Sequence, residues 1–358
     1  MSEERSLAAT DSGQVMTVQG PISVETMGVT LMHEHLLVDA RSWWHEPTQS
    51  ERRYLAEGPV RPGIFGELRM DPFVNPDNCR LEDERAAIEE LELFTETGGQ
   101  TVIDPTCRGI GRDPEALMRI SQASALNIVM GAGYYLEGSH PACVQRMSSE
   151  AIADEIVRDA VDGVDGTDIN IGLIGEIGVS ADFTPEEEKV LRGAARAAKT
   201  TGLPLMVHLP GWERLAHRVL DITGEEGADP AHTVLCHMNP SFDDQDYQIS
   251  LAERGAFIEY DMIGMDFYYA DQEAQCPSDA ETACAIKALI DQGWLKSLLL
   301  SQDVFLKMML SRNGGFGYGY VTRHFLPRLR RLGVTEAEVE QLMIGNPRRV
   351  FSETHRQT

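Results

Sequence analysis

The sequence predicts an α/β protein built as one (β/α)8 TIM barrel. Short apolar runs recur along the chain, helix-like segments separate them, and the metal-capable residues fall at the ends of those runs. About eight runs qualify as strands. They cover residues 29–32, 101–103, 128–130, 171–174, 204–207, 233–236, 256–260 and 297–300, each bounded by Gly, Pro or polar residues. Unbroken apolarity, rather than alternation, is the pattern of strands buried on both faces, as in a parallel sheet covered by helices.

The segments between them carry helix signals. Residues 83–97 end at Gly98-Gly99, and Thr184-Pro185-Glu186-Glu187 supplies an N-cap, a proline at the first helical position and first-turn acids. Repeated strand–helix alternation predicts a closed parallel barrel, with a doubly wound open sheet as the competing arrangement. No internal repeat, low-complexity tract or interdomain linker interrupts the chain, so a single domain over residues 1–358 is expected. Residues 36–81 form an unusually long excursion between strand and helix, containing Trp43, Trp44 and His45. A lid, a subunit contact and a decorated surface loop are the readings open to it.

Composition narrows the function. The 42 % hydrophobic and 25 % charged content is that of a globular chain with a substantial core. Its 57 acidic against 31 basic residues give a net charge of −26, which repels nucleic acid and anionic membranes and leaves a small molecule as the expected partner. The start, residues 1–15, lacks a secretion-signal layout and no stretch is long and apolar enough to span a membrane, so a cytoplasmic location is expected. The 6 cysteines are scattered without a CxxC pair, which suits reduced thiols and leaves His, Asp and Glu to bind any metal.

Barrel enzymes place their chemistry at the carboxyl ends of the strands. The first run leads into His33-Glu34-His35, the fourth into Gly175-Glu176, the fifth into His208, the sixth into His237 and the eighth to Asp303. Side chains alternate along a strand, so His33 and His35 face the same way and can share a cation. Each residue alone has a plainer reading: a hydrogen-bonded core histidine for His208 or His237, a helix N-cap for Asp303. Their equivalent positions on separate strands are what structural roles do not require, and together they predict a metal centre at one barrel mouth.

The chain resembles the phosphotriesterase branch of the amidohydrolase superfamily. The resemblance runs through Gln19-Gly20-Pro21-Ile22, the segment from Met27 to His35, Asp104-Pro105-Thr106, Gly111-Arg112-Asp113, Gly131-Ala132-Gly133-Tyr134-Tyr135 and Gly175-Glu176-Ile177-Gly178. It continues at Val207-His208, His237, Glu259-Tyr260-Asp261, Asp303 and Gly345-Asn346-Pro347-Arg348-Arg349. It implies two divalent cations, usually zinc, with manganese, iron and cobalt also compatible with such ligands. By resemblance His33, His35 and Asp303 hold the more buried cation, His208 and His237 the more exposed one, and Glu176 bridges them. The best-known members bridge with a carboxylated lysine; Glu176, with Gly264 and Lys307, moves this chain toward the phosphotriesterase-related, glutamate-bridged subgroup. The family's habit also implies a homodimer.

The expected reaction is hydrolysis, in which a metal-bridging hydroxide attacks a carboxylic amide or ester, lactones included, and Asp303 relays the proton to the leaving group. The alternatives are a phosphoester or phosphotriester hydrolase and a non-catalytic small-molecule-binding protein. Family members that process organophosphates carry a relay histidine where this chain has Met262, and a binder has no need of the full ligand set. Tyr135 is expected either near the exposed cation or as rim packing, Lys307 at an anionic substrate end or as a cap, and Asp261 against substrate or a ligand histidine. Arg112 and Asp113 are read as a structural turn pair.

Overall fold

A computed structural model describes residues 13–352; the first twelve residues of the segment read as lacking a secretion signal lie outside that range. The barrel strands are β1 (Val29–Leu31), β2 (Gly99–Asp104), β3 (Asn127–Ala132), β4 (Leu173–Gly178), β5 (Leu205–His208), β6 (Thr233–Leu235), β7 (Phe257–Tyr260) and β8 (Leu298–Leu300). They pair in sequence order in one 8-stranded parallel sheet. A covering helix lies between each successive pair, α1 (Glu84–Thr95), α2 (Pro114–Ser124), α3 (Ser149–Val161), α4 (Pro185–Thr201), α5 (Ala216–Glu226), α6 (Gln245–Glu253) and α7 (Asp279–Asp291), and the first connection holds a further short helix, Phe65–Met70. The chain is therefore a TIM barrel, and the open-sheet alternative is set aside.

The expected strands all form. Four, β2, β3, β4 and β5, extend further than their apolar runs. The fourth run was read as ending at residue 174, yet β4 continues through Gly175 and Glu176 to Gly178. The glycines that read as a break instead let two strands pass closely: a Cβ on Gly175, at φ +138°, would lie 2.4 Å from the Met206 carbonyl oxygen. Likewise β5 includes His208 rather than stopping before it.

Caps set the helix starts. Asp83 accepts from the Arg85 and Ala86 amides at the head of α1, and Thr184 and Glu187 form a reciprocal capping box on α4. Asp113 caps α2, while Arg112, nearly buried, pairs with Asp159 at 3.2 Å and Asp165 at 2.9 Å. Both are structural as expected, but not as partners of each other.

The barrel interior takes a buried apolar residue from or beside every strand: Met32, Ile103, Val129, Leu173, Met206, Val234, Phe257 and Leu299. Val15, Val24 and Met27, from the N-terminal hairpin and the turn after it, join that cluster from the amino-terminal side. The helices cover the outer face of the sheet through the larger cluster. The seam between β1 and β8 closes just past their ends. The Asp303 amide donates to the His33 carbonyl at 3.1 Å, and the His35 amide to the Val304 carbonyl at 3.3 Å. Glu34 reinforces it, accepting from the Ser301 hydroxyl at 2.8 Å and the Gln302 and Val304 amides at 3.0 and 2.9 Å. Burial nevertheless raises the Glu34 carboxyl to about 8.

Residues 36–81 fold over the carboxyl-terminal mouth. A short antiparallel pair, Val38–Asp39 with Arg80–Leu81, ties the excursion at its base. Among the described residues no helix is long and apolar enough to cross a membrane.

Candidate metal centre

His33 and His35 leave β1 with one residue between them, so both rings project into the mouth. Glu176 enters from β4, His208 from β5, His237 from just past β6 and Asp303 from just past β8. All six converge. Glu176 Oε1 lies 2.8 Å from His237 Nε2, 3.0 Å from His208 Nδ1 and 3.6 Å from His33 Nε2. Asp303 Oδ1 lies 3.4 Å from His35 Nε2 and 3.8 Å from His33 Nε2. Glu176 thus faces both histidine groups, and Asp303 closes the side of His33 and His35.

The backbone is bent to achieve this. His237 and Asp303 are non-glycine residues in the left-handed region, at φ 58° and 46°. Such conformations cost about 1–3 kcal/mol each and persist only where the surroundings over-determine them. Here they do: the His237 amide donates to both Asp261 oxygens, at 3.1 and 2.9 Å, and the Asp303 amide to the His33 carbonyl.

Beneath the cluster, further groups fix the rings. His237 Nδ1 is 3.1 Å from Asp261 Oδ1; His33 Nδ1 is 3.3 Å from both Asp261 Oδ2 and Glu259 Oε2; His35 Nδ1 is 2.7 Å from the Thr106 hydroxyl. A ring tied through one nitrogen presents the other in a fixed direction and tautomer. Asp261 is fully buried and lies against the two histidines rather than on the cavity wall.

Charge reinforces the geometry. Burial opposes ionisation of Glu176, but the His33 and His208 charges and the hydrogen bonds from His208 and His237 hold its carboxyl well below the ordinary range. Burial likewise opposes protonation of His33 and His237, yet the acids around them, Glu176 and Asp303 for His33 and Asp261 and Glu176 for His237, raise both. His208 is lowered, mainly by burial. A potential that draws protons onto buried imidazoles also draws divalent cations.

The donor set fits such cations on a further ground. His33 Nε2 and Asp303 Oδ1 are buried and have no hydrogen-bond partner, an arrangement that is costly unless a ligand satisfies them. His33, His35 and Asp303 form one group of ligand atoms lying within 4.8 Å of one another, and His33, Glu176 and His237 form a second.

Above the cluster opens a cavity of about 300 Å³, lined by His35, Glu176, His208, His237 and Asp303 at its floor. Tyr135 borders it, its ring edge-on to His208 at 4.8 Å, and its hydroxyl accepts from Trp43 Nε1 at 3.3 Å. The 36–81 excursion supplies Trp43 and Phe73, stacked at 5.5 Å, and the segment after β7 supplies Met262, Met265 and Tyr269. Lys307 is not among the lining residues; its ammonium is ion-paired with Asp77.

Some of this escaped the sequence reading. Thr106 stands in the sequence within Asp104-Pro105-Thr106, with nothing there to mark it as the support of the His35 ring. Phe73 and Phe305 are single aromatics in loops, indistinguishable by pattern from packing residues. Their strand-end or loop positions on the same barrel mouth were the one available signal.

The profile of the Phosphotriesterase family matches residues 13–351. Among curated relatives, an N-acetyltaurine hydrolase of Tetraodon nigroviridis is 34 % identical over 94 % of this chain and 97 % of that protein. Among solved structures, a resiniferatoxin-binding protein from Rhodobacter sphaeroides superposes with a TM-score of 0.94 at 62 % identity, covering 96 % of this chain and 97 % of the other. A phosphotriesterase homology protein from Escherichia coli superposes with a TM-score of 0.74 at 28 % identity, over 91 % of this chain and 99 % of the other.

Proposed function

The chain belongs to the phosphotriesterase family and is a hydrolase, and we propose that it cleaves a carboxylic amide or ester, lactones included, at the centre formed by His33, His35, Glu176, His208, His237 and Asp303. The observation that carries this reading is the pair of buried atoms, His33 Nε2 and Asp303 Oδ1, left without hydrogen bonds inside a ring of ligand-type groups. The naming of curated relatives as N-acetyltaurine hydrolases supports the amide.

His33, His35 and Asp303 would hold one divalent cation, His208 and His237 the other, with Glu176 between them. Bound there, the pair would polarise a substrate carbonyl and lower the pKa of water from about 15.7 toward about 7. Zinc is the proposed metal; manganese, iron and cobalt suit the same ligands.

The side chains divide the remaining work. Glu259 and Asp261 keep His33 and His237 aimed at the floor of the cavity. Asp303 borders the cavity, and with Oδ1 turned to the cation site beside His35 its second oxygen can take the proton of the attacking water and pass it to the departing nitrogen or oxygen. The Tyr135 hydroxyl accepts from Trp43, which leaves its own proton to donate toward substrate. The aromatic wall keeps bulk water from the reacting atoms.

A phosphotriester substrate is disfavoured by Met262, which lines the cavity where organophosphate-processing members carry a relay histidine. The non-catalytic reading draws on the relative described as resiniferatoxin-binding. Metal analysis with a screen of lactones, N-acyl amines and aryl phosphates tests the choice. Turnover confined to aryl phosphates, or no turnover by the metal-loaded chain, would overturn the proposal. We also propose a homodimer, which light scattering on the eluting protein checks.

A further inference from the structure

The cavity wall and its charges bear on which amide or ester enters. Phe73 stacks against Trp43 at 5.5 Å and against Tyr269 at 5.3 Å, and Trp212 meets Tyr269 edge-on at 5.8 Å. These four rings form a continuous aromatic wall beside the metal-binding floor. Among the described residues, no lysine or arginine lines the cavity, and the charged side chain that borders it outside the ligand set is acidic, Asp182. Basic residues within two positions of the lining are ion-paired with residues outside it, among them Arg41 with Asp39 at 2.6 Å, Arg214 with Asp244 at 3.1 Å, and Lys307 with Asp77.

An N-acyl sulfonate or N-acyl amino acid whose carbonyl occupies the floor would have to place its anionic end against aromatic and aliphatic carbon, the Gln272 amide and Asp182, with no lysine or arginine among the lining residues. Desolvating a charge with no cation beside it to pair with is costly. A flat uncharged ring placed there meets ring faces and edges at favourable spacing and loses nothing electrostatically.

We propose that the substrate is an uncharged amide or ester bearing an aromatic group that rests on the Trp43–Phe73–Tyr269–Trp212 wall, and that anionic N-acyl conjugates are discriminated against. This rests on the hydrolase reading of the same site. The selectivity resides in the wall and in Asp182 rather than in the metal ligands, so a chain with the family's full ligand set can differ in substrate from relatives named for an anionic amide.

The test uses the zinc-loaded full chain with three probes: N-acetylphenethylamine, N-acetyltaurine and N-acetylphenylalanine. Dissociation constants come from calorimetry and kcat/KM from amine release. The neutral aromatic probe is expected to bind at least about tenfold more tightly than either anion, and to lead in kcat/KM by a similar factor. Equal or tighter binding of either anion would overturn the proposal. Tighter binding of the neutral probe without turnover of any probe would uphold the selectivity and count against the hydrolase reading, which separates the two.

Discussion

Asp261 grips His237 at two points: its oxygens accept from the His237 amide at 3.1 and 2.9 Å, and Oδ1 lies 3.1 Å from the ring Nδ1. One buried carboxylate thus fixes both a left-handed backbone position and the direction in which Nε2 points. The carboxylate is held well below its ordinary range even though burial opposes its ionisation, because the His237 charge and the hydrogen bonds from His237 and His33 favour the anion. Asp261→Asn keeps the volume but removes that charge. The expected outcome is about a 10–100-fold loss of metal affinity with the fold retained, read by titration of the metal-free protein and by circular dichroism. Unchanged affinity would remove Asp261 from the positioning of His237.

Glu176→Gln should leave a folded chain that retains fewer than two cations. Its Oε1 lies 3.0 Å from His208 Nδ1 and 2.8 Å from His237 Nε2, and an amide supplies neither the bridge nor the charge. Metal content after dialysis, by elemental analysis, checks it; two tightly held cations in the variant would rule out the bridge.

Asp303→Asn should lower kcat by about a hundredfold or more while sparing part of the metal content, since a positioned proton acceptor contributes roughly 10²–10⁴-fold. Steady-state kinetics beside metal analysis give the answer. Full activity would exclude the proton-relay role.

Gly175→Ala should destabilise the barrel. The added Cβ would sit 2.4 Å from the Met206 carbonyl oxygen at a φ of +138°, and backbone strain alone costs about 1–3 kcal/mol. A clear drop in melting temperature is expected; a drop of the size seen for an exposed substitution would show that β4 and β5 can separate freely here.

The barrel was legible because its strands are buried on both faces. Unbroken apolar runs such as Ile128–Val129–Met130 mark themselves, and of the segments between them Gly98 ends one and the Thr184 cap starts another. The ligands were legible because the sheet brings strand ends together, so His208 and Asp303, 95 positions apart by number, could be assigned to one mouth. Where glycine continued a strand instead of ending it, at Gly175, the boundary was misread. Glu176 was consequently placed just after a strand rather than within it. The substrate wall was hidden for a different reason. Trp43, Phe73 and Tyr269 come from a single helical turn, a loop and a two-residue strand, each too short to carry a period of two or 3.6 residues, so their directions follow from tertiary packing. Lys307 shows the converse: its nearness to Asp303 in sequence drew attention, while its charge is taken up by Asp77.

The central claim is a two-cation hydrolytic centre, and reversible metal removal tests it most directly. The chain stripped with a chelator should lose amide and ester hydrolysis, remain folded, and regain full activity as zinc is added up to about two equivalents per chain. Undiminished hydrolysis by the stripped protein, or full recovery with no more than one equivalent bound, would contradict the account.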